Sequence, residues 1–224
     1  MKNYLFLISV LILTACGEKP DGSIDFLEPQ PAGVKDETAF NKKYQGSYFS
    51  AAEKAFLEIQ SAYMIRREYI PIVFLRKELD SSFTADNTND NNIIAFFKKD
   101  NIEVDSFAVD SIYAHYNGID TLFDFNTKDN LCRYMKGDYF LSYANETQDS
   151  WKVRRVHADA SGLNFSYIIP SDSLMAVLDV KDKKSIEGDS ITPKRYQIKP
   201  DKKELKNLVK QDVFEEDVHW VRMK

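Results

Sequence analysis

Alternation between apolar and polar residues is the feature that most restricts what this chain can fold into. From Ile102 onward, apolar residues often recur at every second position, which is the period of a β-strand with one buried face. The clearest run places four side chains on one face, namely Ile119, Thr121, Phe123 and Phe125. Similar runs occupy residues 139–143 and 163–167. The chain is therefore predicted to be mainly β.

Short turn signals separate these runs. They are Asn117-Gly118, Lys128-Asp129-Asn130, Lys136-Gly137-Asp138 and Ala160-Ser161-Gly162. Strands at this spacing predict an antiparallel meander that forms either a barrel or a two-layer sandwich. The 15 Phe and 12 Tyr residues favour the same class, because aromatic side chains fit a pleated, half-buried surface.

One helix is predicted near the C-terminus. Asp201 is a suitable N-cap, and Glu204 stands three residues later as its capping-box partner. Leu205, Leu208 and Val209 then form an apolar stripe along one side of the helix.

Two other segments complete the predicted architecture. Helical propensity allows a helix over residues 52–65, but residues 56–59 and 69–75 fit strands better. A last strand is predicted over residues 218–223, after the C-terminal helix.

The N-terminus has the pattern of a cleaved secretory signal. Lys2 supplies a positive charge, and the apolar run after it, about ten residues long, is too short to span a bilayer as a helix. The run ends in Leu13-Thr14-Ala15-Cys16, which resembles the lipobox of bacterial lipoproteins. The resemblance implies that residues 1–15 are removed. It also implies that Cys16 carries a diacylglycerol thioether and an amide-linked acyl chain, which together anchor a protein durably.

Residues 16–43 are predicted to form a flexible tether, because Pro and Gly recur there among charged residues. The folded part then starts near Tyr44, and residues 44–224 fit a single domain. By resemblance to lipoprotein sorting in diderm bacteria, Gly17 after the lipidated cysteine favours the outer membrane. The sequence leaves open whether the protein faces the periplasm or the cell surface.

Charge argues against a nucleic-acid partner. The formal net charge is −5, and no basic run is long enough to follow a phosphate backbone. The short lysine clusters at residues 42–43 and 181–184 are interpreted as solvated turns. The expected partners are the membrane, through the lipid anchor, and either an envelope protein or a small apolar ligand.

No cofactor or metal site is predicted. His115, His157 and His219 stand far apart, and none has a second ligand at the spacing that metal sites use. Residues 86–92 place oxygen-bearing side chains at alternate positions, as a calcium loop does. However, Asn91 and Phe97 stand where an EF-hand needs Gly and Glu. A polar loop between strands is the better interpretation.

No catalytic residue is predicted either. Gly188-Asp189-Ser190-Ile191 resembles the nucleophile block of the Gly-Asp-Ser-Leu esterases. That family places its serine near the start of an α/β domain, whereas Ser190 lies late in this chain. The segment Asp217-Val218-His219 is also one residue shorter than the family's Asp-X-X-His. These departures favour a turn that leads into a strand.

The remaining cysteine and the tryptophans are assigned to the core. With Cys16 carrying lipid, Cys132 has no cysteine to pair with, so an intramolecular disulfide is excluded. Cys132 lies in a strand-like run and is expected to be a buried, inert thiol. Trp151 and Trp220 are expected to anchor the core.

Two further resemblances concern the segment before residue 50. Residues 28–35, Phe40 and Gln45-Gly46-Ser47-Tyr48 resemble the N-terminal signature of a group of small Bacteroidota lipoproteins with no known activity. Gly46-Ser47-Tyr48 also resembles the Gly-X-Trp start of lipocalins and related small barrels. This second resemblance implies a late arginine packed over the aromatic ring, and Arg222 is the candidate.

The Bacteroidota resemblance also implies O-glycosylation at Asp-Ser/Thr-apolar triplets. The acceptors in such triplets are Ser111, Thr121, Ser173 and Ser190. The same triplet suits a turn that leads into a strand, since Asp and Ser side chains bond their own backbone. Ser190 is expected to be the best acceptor. Thr121, expected to face inward from the middle of a strand, is the poorest.

These observations predict a lipid-anchored lipoprotein of the cell envelope whose β domain is a non-enzymatic binding or structural module. Two alternatives stay open. One is a lipocalin-like carrier of a small ligand, and the other is a hydrolase whose site is dispersed along the sequence.

Overall fold

The structure, a computed structural model, describes residues 23–79, 90–146, 149–187 and 194–223. β-Strands are its main secondary structure, which confirms the predicted β class. The strands are β1 (Ser23–Phe26), β2 (Gly46–Ser50), β3 (Ala55–Ile59), β4 (Tyr63–Leu75), β5 (Ile102–Phe107), β6 (Ser111–Asp124), β7 (Asn130–Met135), β8 (Asp138–Ala144), β9 (Trp151–Ala158), β10 (Leu163–Tyr167), β11 (Lys183–Ile186), β12 (Arg195–Ile198) and β13 (Glu215–Arg222). The helices of this part of the chain are α1 (Arg76–Leu79), α2 (Asp90–Lys98), α3 (Asp172–Val177) and α4 (Lys202–Lys210).

The chain divides into two compact units, where the sequence predicts one domain from residue 44. The described parts of unit 1 are residues 23–36, 131–146, 149–156, 166–187 and 194–217. Those of unit 2 are residues 37–79, 90–130, 157–165 and 218–223. Strands β7, β9, β10 and β13 contribute residues to both units.

The sheets of both units are open, so the predicted barrel is wrong for the described strands. Unit 1 pairs its strands in the order β7-β8-β9-β1-β12-β11, and unit 2 in the order β10-β13-β2-β3-β4-β6-β5. Consecutive strands pair with one another, as the predicted meander requires, in β2-β3-β4 and in β7-β8-β9. The meander is interrupted where β1 and β12 pair in parallel, with Phe26 beside Ile198. Local alternation carries no information about such long-range pairing.

The core of unit 1 covers one face of its sheet. Alternate residues of the parallel pair β1 and β12 point into this core, among them Phe26 and Ile198, both fully buried. Met175 of α3 and Leu205 of α4 belong to the same cluster. Strand β8 is buried from Asp138 to Ser142, on both faces rather than on the one that its alternation predicts.

Helix α4 confirms the predicted C-terminal helix and its cap. The Asp201 carboxylate accepts hydrogen bonds from the backbone N–H groups of Lys203 and Glu204, at 2.7 and 2.8 Å. In return, the Glu204 side chain accepts one from the Asp201 N–H at 2.8 Å, which completes the capping box. These N–H donors hold the pKa of Asp201 below its usual value.

Residues 23–43 are folded, so this part of the predicted tether is wrong. Residues 23–36 include β1 and belong to unit 1, where the backbone N–H of buried Gln30 donates to the Ser142 hydroxyl at 3.1 Å. The Arg133 guanidinium donates to the Asp36 carboxylate at 2.7 Å and to the Pro31 carbonyl at 3.0 Å. Pro29 and Pro31, which suggest a tether, therefore lie in a turn that an arginine fork holds in place.

Residues 37–43 belong to unit 2. The Phe40 ring is buried and packs edge-on against the rings of Phe123 and Phe125, with centroid distances of 5.8 and 4.8 Å. Such edge-to-face pairs stabilise a core beyond the area that they bury. The folded part of unit 2 thus begins before Tyr44.

Unit 2 is organised around the long antiparallel pair β4 and β6, whose register runs from Tyr63 opposite Asp124 to Leu75 opposite Ser111. The preferred strand interpretation of residues 51–75 is confirmed, because β3 and β4 occupy them. Of the predicted polar loop over residues 86–92, residues 90–92 instead begin α2. Residues 86–89 lie outside the described residues. The last predicted strand is confirmed as β13.

Helix length bears on how the chain could meet a membrane. Within the described ranges, no helix is long and apolar enough to cross a bilayer.

Candidate functional site

Unit 2 carries a sheet face with large apolar side chains that remain open to solvent. Six of these side chains are between 40% and 62% exposed. They are Phe56, Tyr69, Val73, Tyr113, Ile119 and Val221. We call these six residues and the strand surface between them the β4–β6 face. An exposed apolar patch of this kind commonly marks an interaction site.

Strand register places these residues on one face. Tyr69 and Val73 are separated by four residues in β4, so both point to the same side of the sheet. Val73 lies opposite Tyr113 of β6, and Arg67 of β4 lies opposite Ile119. On the other side of β4, Arg67 lies opposite Phe56 of β3. The row continues from Phe56 to Phe49 of β2 and Val221 of β13.

The opposite face of the same two strands is covered over part of its length, although Ile70 on that face is 45% exposed. Phe74 and its partner Ile112 point to that side, where they pack with Ile93 and Phe97 of α2. The rings of Phe74 and Phe97 stack with their centroids 4.4 Å apart. Helix α2 therefore covers the part of this face around Phe74 and Ile112. The six exposed residues lie on the other.

A polar cluster around the single histidine His115 lies on the β4–β6 face, at the edge nearer β5. The His115 Nδ1 atom lies 2.8 Å from the Asp105 carboxylate, and its Nε2 lies 3.5 Å from Glu103. The Tyr69 ring stacks on the imidazole at 4.1 Å between centroids, and its hydroxyl donates to Asp105 at 3.4 Å. Desolvation, together with the negative charge of Asp105, raises the pKa of Tyr69 above its usual value.

This cluster orients the imidazole but covers it. The His115 side chain is only 11% exposed, because the Tyr69 ring lies across it. Within the described residues, no group of three or more His, Cys, Asp or Glu side chains is placed to hold a metal ion. The cluster therefore supplies polar atoms at the edge of the apolar surface.

Unit 1 carries a second surface, which is basic. A cavity of about 330 Å³ is lined by Leu27, Lys181, Asp182, Lys183, Lys184, Gln197 and Lys199. The lysines at 181–184 are predicted to be solvated turns, but Lys183 and Lys184 lie in strand β11. The ammonium of Lys183 donates to the carbonyls of Met175 and Leu178, at 2.7 and 2.5 Å.

A buried carboxylate joins two more cations near this cavity. Asp25 of β1 is 2% exposed, and its carboxylate lies 2.5 Å from the Lys152 ammonium and 2.6 Å from the Arg195 guanidinium. The hydrogen bond from Arg195 and the charge of Asp25 raise the pKa of Arg195. The burial of Asp25 is compatible with its charge because both cations contact it.

The arginine that the lipocalin resemblance implies is present. The Arg222 guanidinium lies over the Tyr48 ring, 5.7 Å from its centroid, and donates to the carbonyls of Lys43 and Gln45 at 3.0 and 2.7 Å. Burial raises the pKa of Tyr48, although the nearby charge of Arg222 acts in the opposite direction. The local arginine–aromatic packing is therefore correct, while the closed barrel that accompanies it in that family is not.

The predicted modification sites are dispersed. Cys16 and Ser190 lie outside the described residues. Ser111 is buried, and its hydroxyl donates to Asp110 at 3.1 Å, which removes it from reach of a modifying enzyme in the folded state. Thr121 is exposed on β6, contrary to its expected inward orientation.

Ser173 is exposed at the start of α3, and its hydroxyl lies 3.0 Å from that of Ser171. The preceding Asp172 accepts hydrogen bonds from Lys194 and the Tyr196 hydroxyl, each at 2.8 Å. Lys194 contributes most to lowering the pKa of Asp172. Ser173 and Thr121 therefore remain accessible acceptors among the described residues.

The other sequence motifs do not assemble with one another. The Gly188–Ile191 esterase-like run lies outside the described residues. The His219 ring bonds to Asn164, and Asp159 accepts from the backbone of Ser161 at 2.6 Å, as a turn does. Cys132 is buried, as predicted. Trp220 is buried as well, and Trp151 packs partly buried against the core of unit 1.

Comparison with protein-family models, with curated proteins and with solved structures finds no significant match to this chain.

Proposed function

We propose that this chain is a lipid-anchored lipoprotein of the outer membrane and acts as a non-enzymatic binding module. Its mature form begins at Cys16, and the β4–β6 face of unit 2 binds an envelope protein. The observation that carries the proposal is the set of six large apolar side chains exposed on one sheet face.

The composition of the face suits a protein partner. Tyr and Phe side chains are enriched at the centres of protein interfaces, and here Tyr69 and Tyr113 lie among aliphatic residues. Polar groups lie among and beside them, namely the His115–Asp105 pair and Arg67, which stands between Phe56 and Ile119 and lies 3.4 Å from the Glu58 carboxylate. Apolar side chains together with groups that can hydrogen-bond are usual in such a surface.

The size of the face is consistent with a transient interface. Strand spacing and rise give it dimensions of roughly 20 Å by 19 Å, or about 400 Å². A stable complex buries about 800 Å² on each partner, so the rim must contribute about half of the contact. A face of this size without its rim would support only a weak complex.

A small-ligand carrier and a hydrolase fit the described residues less well. A carrier encloses most of its ligand in a concave site, whereas the six apolar side chains stand along an open sheet. A hydrolase needs a nucleophile beside its base, and the covered ring of His115 contacts two carboxylates and a tyrosine instead.

The anchor is tested by replacing Cys16 with serine. Without a thiol the chain cannot receive the thioether lipid, so Cys16→Ser is expected to leave an unprocessed precursor with residues 1–15 attached. Intact mass of the protein purified from a diderm host measures both changes. Cys132→Ser is the matched control, because its thiol is buried and its processing should remain normal. An unmodified Cys16 in the normally processed chain would contradict the proposed anchor.

The binding face is tested with a photoreactive phenylalanine analogue in place of Tyr113. In cells that express the protein in its own envelope, irradiation is expected to give one discrete cross-linked species. The same analogue at Val177 is the control, since Val177 is an exposed apolar residue on α3 of unit 1. A second change, Val73→Ser with Ile119→Ser, should reduce the Tyr113 adduct about tenfold, because two interface residues lose apolar contact. Equal cross-linking from both positions would refute the face as a specific site.

A further inference from the structure

We propose that the basic sheet face of unit 1 lies against the anionic phospholipid headgroups of the membrane that holds the lipid anchor. We call this surface the β11–β12 face and define it by Asp25, Lys152, Lys184, Gln197 and Lys199. The inference rests on the proposed anchor at Cys16 and adds an orientation to it. The occupant is a lipid surface, recognised through its phosphate groups.

Strand register places these side chains on the side opposite the core. Lys184 of β11 lies opposite Gln197 of β12, and Gln197 lies opposite Asp25 of β1. Their neighbours Ile198 and Phe26 alternate to the other face and are fully buried. The backbone N–H of Lys199 continues the ladder by donating to the Asp182 carbonyl at 2.8 Å. Lys199 therefore follows Gln197 on the same open face.

The charge of this face opposes the charge of the whole chain. The protein has a net charge of −5, yet four lysines and one aspartate line the cavity on this face. Lys183 is held by two backbone carbonyls, which leaves Lys181, Lys184 and Lys199 as the proposed phosphate contacts. All three side chains are exposed. Basic residues close to an anionic leaflet are attracted to it additively.

Lys152 and Arg195 add two more cations to this surface. Their side chains are 51% and 40% exposed, although each contacts Asp25. Asp25 contacts both cations, and the charge of Asp149 also acts on Arg195, so this corner adds little net charge to the face. The cations of the face come from strands β9, β11 and β12, from the segment before β11 and from the residue after β12. A sheet surface with cations from several strands presents them side by side to a planar bilayer.

The length of chain between the anchor and the fold brings the membrane within reach. Ser23, the first residue of β1, is seven residues after Cys16. A fully extended chain of that length spans at most about 25 Å. Leu27 at the other end of β1 lines the basic cavity, about 13 Å further along the strand. Headgroups around the anchored lipid therefore lie within contact range of the cavity.

The competing surface in unit 1 is helix α4, which also carries lysines. Its residues Leu205 and Leu208 pack into the core on the opposite side of the sheet, but its first turn lies close to Lys181, whose backbone N–H donates to the Glu204 carboxylate at 3.2 Å. Lys206 and Lys210, which lie nearer the other end of the helix, provide the matched reference. Both groups belong to the same unit and have the same chemistry, so only their position differs.

Lysine footprinting tests the orientation. The mature protein is mixed with vesicles of phosphatidylcholine alone, or of phosphatidylcholine with phosphatidylglycerol, then treated with an acetylating reagent and analysed by mass spectrometry. Phosphatidylglycerol is expected to slow acetylation of Lys181, Lys184 and Lys199 about fivefold each. Lys206 and Lys210 should react equally in both vesicles. The protection should disappear in about 1 M NaCl, where charges are screened within about 3 Å.

Paired variants provide the second measurement. Lys184→Gln with Lys199→Gln should abolish the remaining protection of Lys181, whereas Lys206→Gln with Lys210→Gln removes the same charge and should preserve it. Equal acetylation of both lysine groups, or protection confined to α4, would overturn the proposal. Protection by inorganic phosphate without vesicles would reassign the cavity to a free anion. Protection only in native envelope membranes would reassign it to a protein.

The readout separates this inference from the proposed anchor. It compares two lysine groups within one molecule, and anionic vesicles attract a basic face whether or not the chain carries lipid. The mass of the N-terminal peptide, measured in the same sample, reports the anchor independently. A lipidated chain with equal lysine reactivity would contradict only the orientation. Protected lysines on a chain without lipid would contradict only the anchor.

Discussion

Replacing Phe26 with alanine is expected to lower the free energy of unfolding of unit 1 by about 3–5 kcal/mol. Phe26 is fully buried in a core that also contains Ile24, Phe140 and Ile198. Alanine at this position removes the ring and leaves a cavity that the surrounding side chains fill only in part. Urea denaturation, followed by the fluorescence of Trp151 in a Trp220→Phe background, measures the change in unit 1.

The neighbouring residue supplies the control for this prediction. Leu27 is 38% exposed, so Leu27→Ala should change the free energy of unfolding by no more than about 0.5 kcal/mol. Both substitutions shorten an apolar side chain in the same segment. If residues 23–28 formed the flexible tether that the sequence predicts, the two variants would be equally stable. Similar small effects of both substitutions would therefore contradict the placement of β1 in the core of unit 1.

Elements whose signals are local are predicted well from the sequence. Helix α4 is the clearest case, because its N-cap Asp201, its capping-box partner Glu204 and its apolar stripe all lie within nine residues. The strands β8 and β10 also follow from alternation, since period two is a property of a single strand, although β8 is buried on both faces. Each of these signals is complete within the element itself. Strand β6 is predicted less well, because it runs through the predicted turn at Asn117-Gly118 and exposes Ile119 and Thr121.

Pairing between distant segments is not predicted, and this is why the tether and the barrel are wrong. Strand β1 has four residues, too few to show alternation, and prolines follow it closely. Its place in the sheet depends on β12, and Asp25 contacts Arg195 across a separation of 170 positions. Ordering a Pro-containing segment costs conformational entropy. The contacts that offset this cost come from distant partners, which only the folded chain brings beside the segment.

The two surfaces differ in what the sequence reveals of them. Residues 69–75 are predicted as a strand, and a nearly continuous apolar run usually means burial on both faces. Only one face is covered by α2, so the exposure of Tyr69 and Val73 appears only in the structure. The basic face cannot be recognised from the sequence for another reason. Lys184 and Lys199 are separated in sequence and become neighbours through the pairing of β11 with β12.

Gly162→Ala is expected to destabilise unit 2 by about 3–5 kcal/mol, which combines a steric clash with backbone strain. Gly162 has a φ of +152°, and a Cβ there would lie 2.1 Å from the carbonyl oxygen of Trp220. That oxygen belongs to the backbone of β13, so no side-chain rotation relieves the clash. The fluorescence of Trp220 in a Trp151→Phe background reports the unfolding of this region directly.

The contribution of the clash is isolated by Gly137→Ala. Gly137 has a φ of +98°, a conformation that also disfavours alanine, but a Cβ there would meet no atom within 4 Å. This variant should therefore lose only the strain contribution, about 1–2 kcal/mol. A Gly162→Ala chain no less stable than Gly137→Ala would mean that β13 moves away from the turn at little cost. In that case the close approach of Gly162 to Trp220 would not determine how the turn before β10 packs on β13.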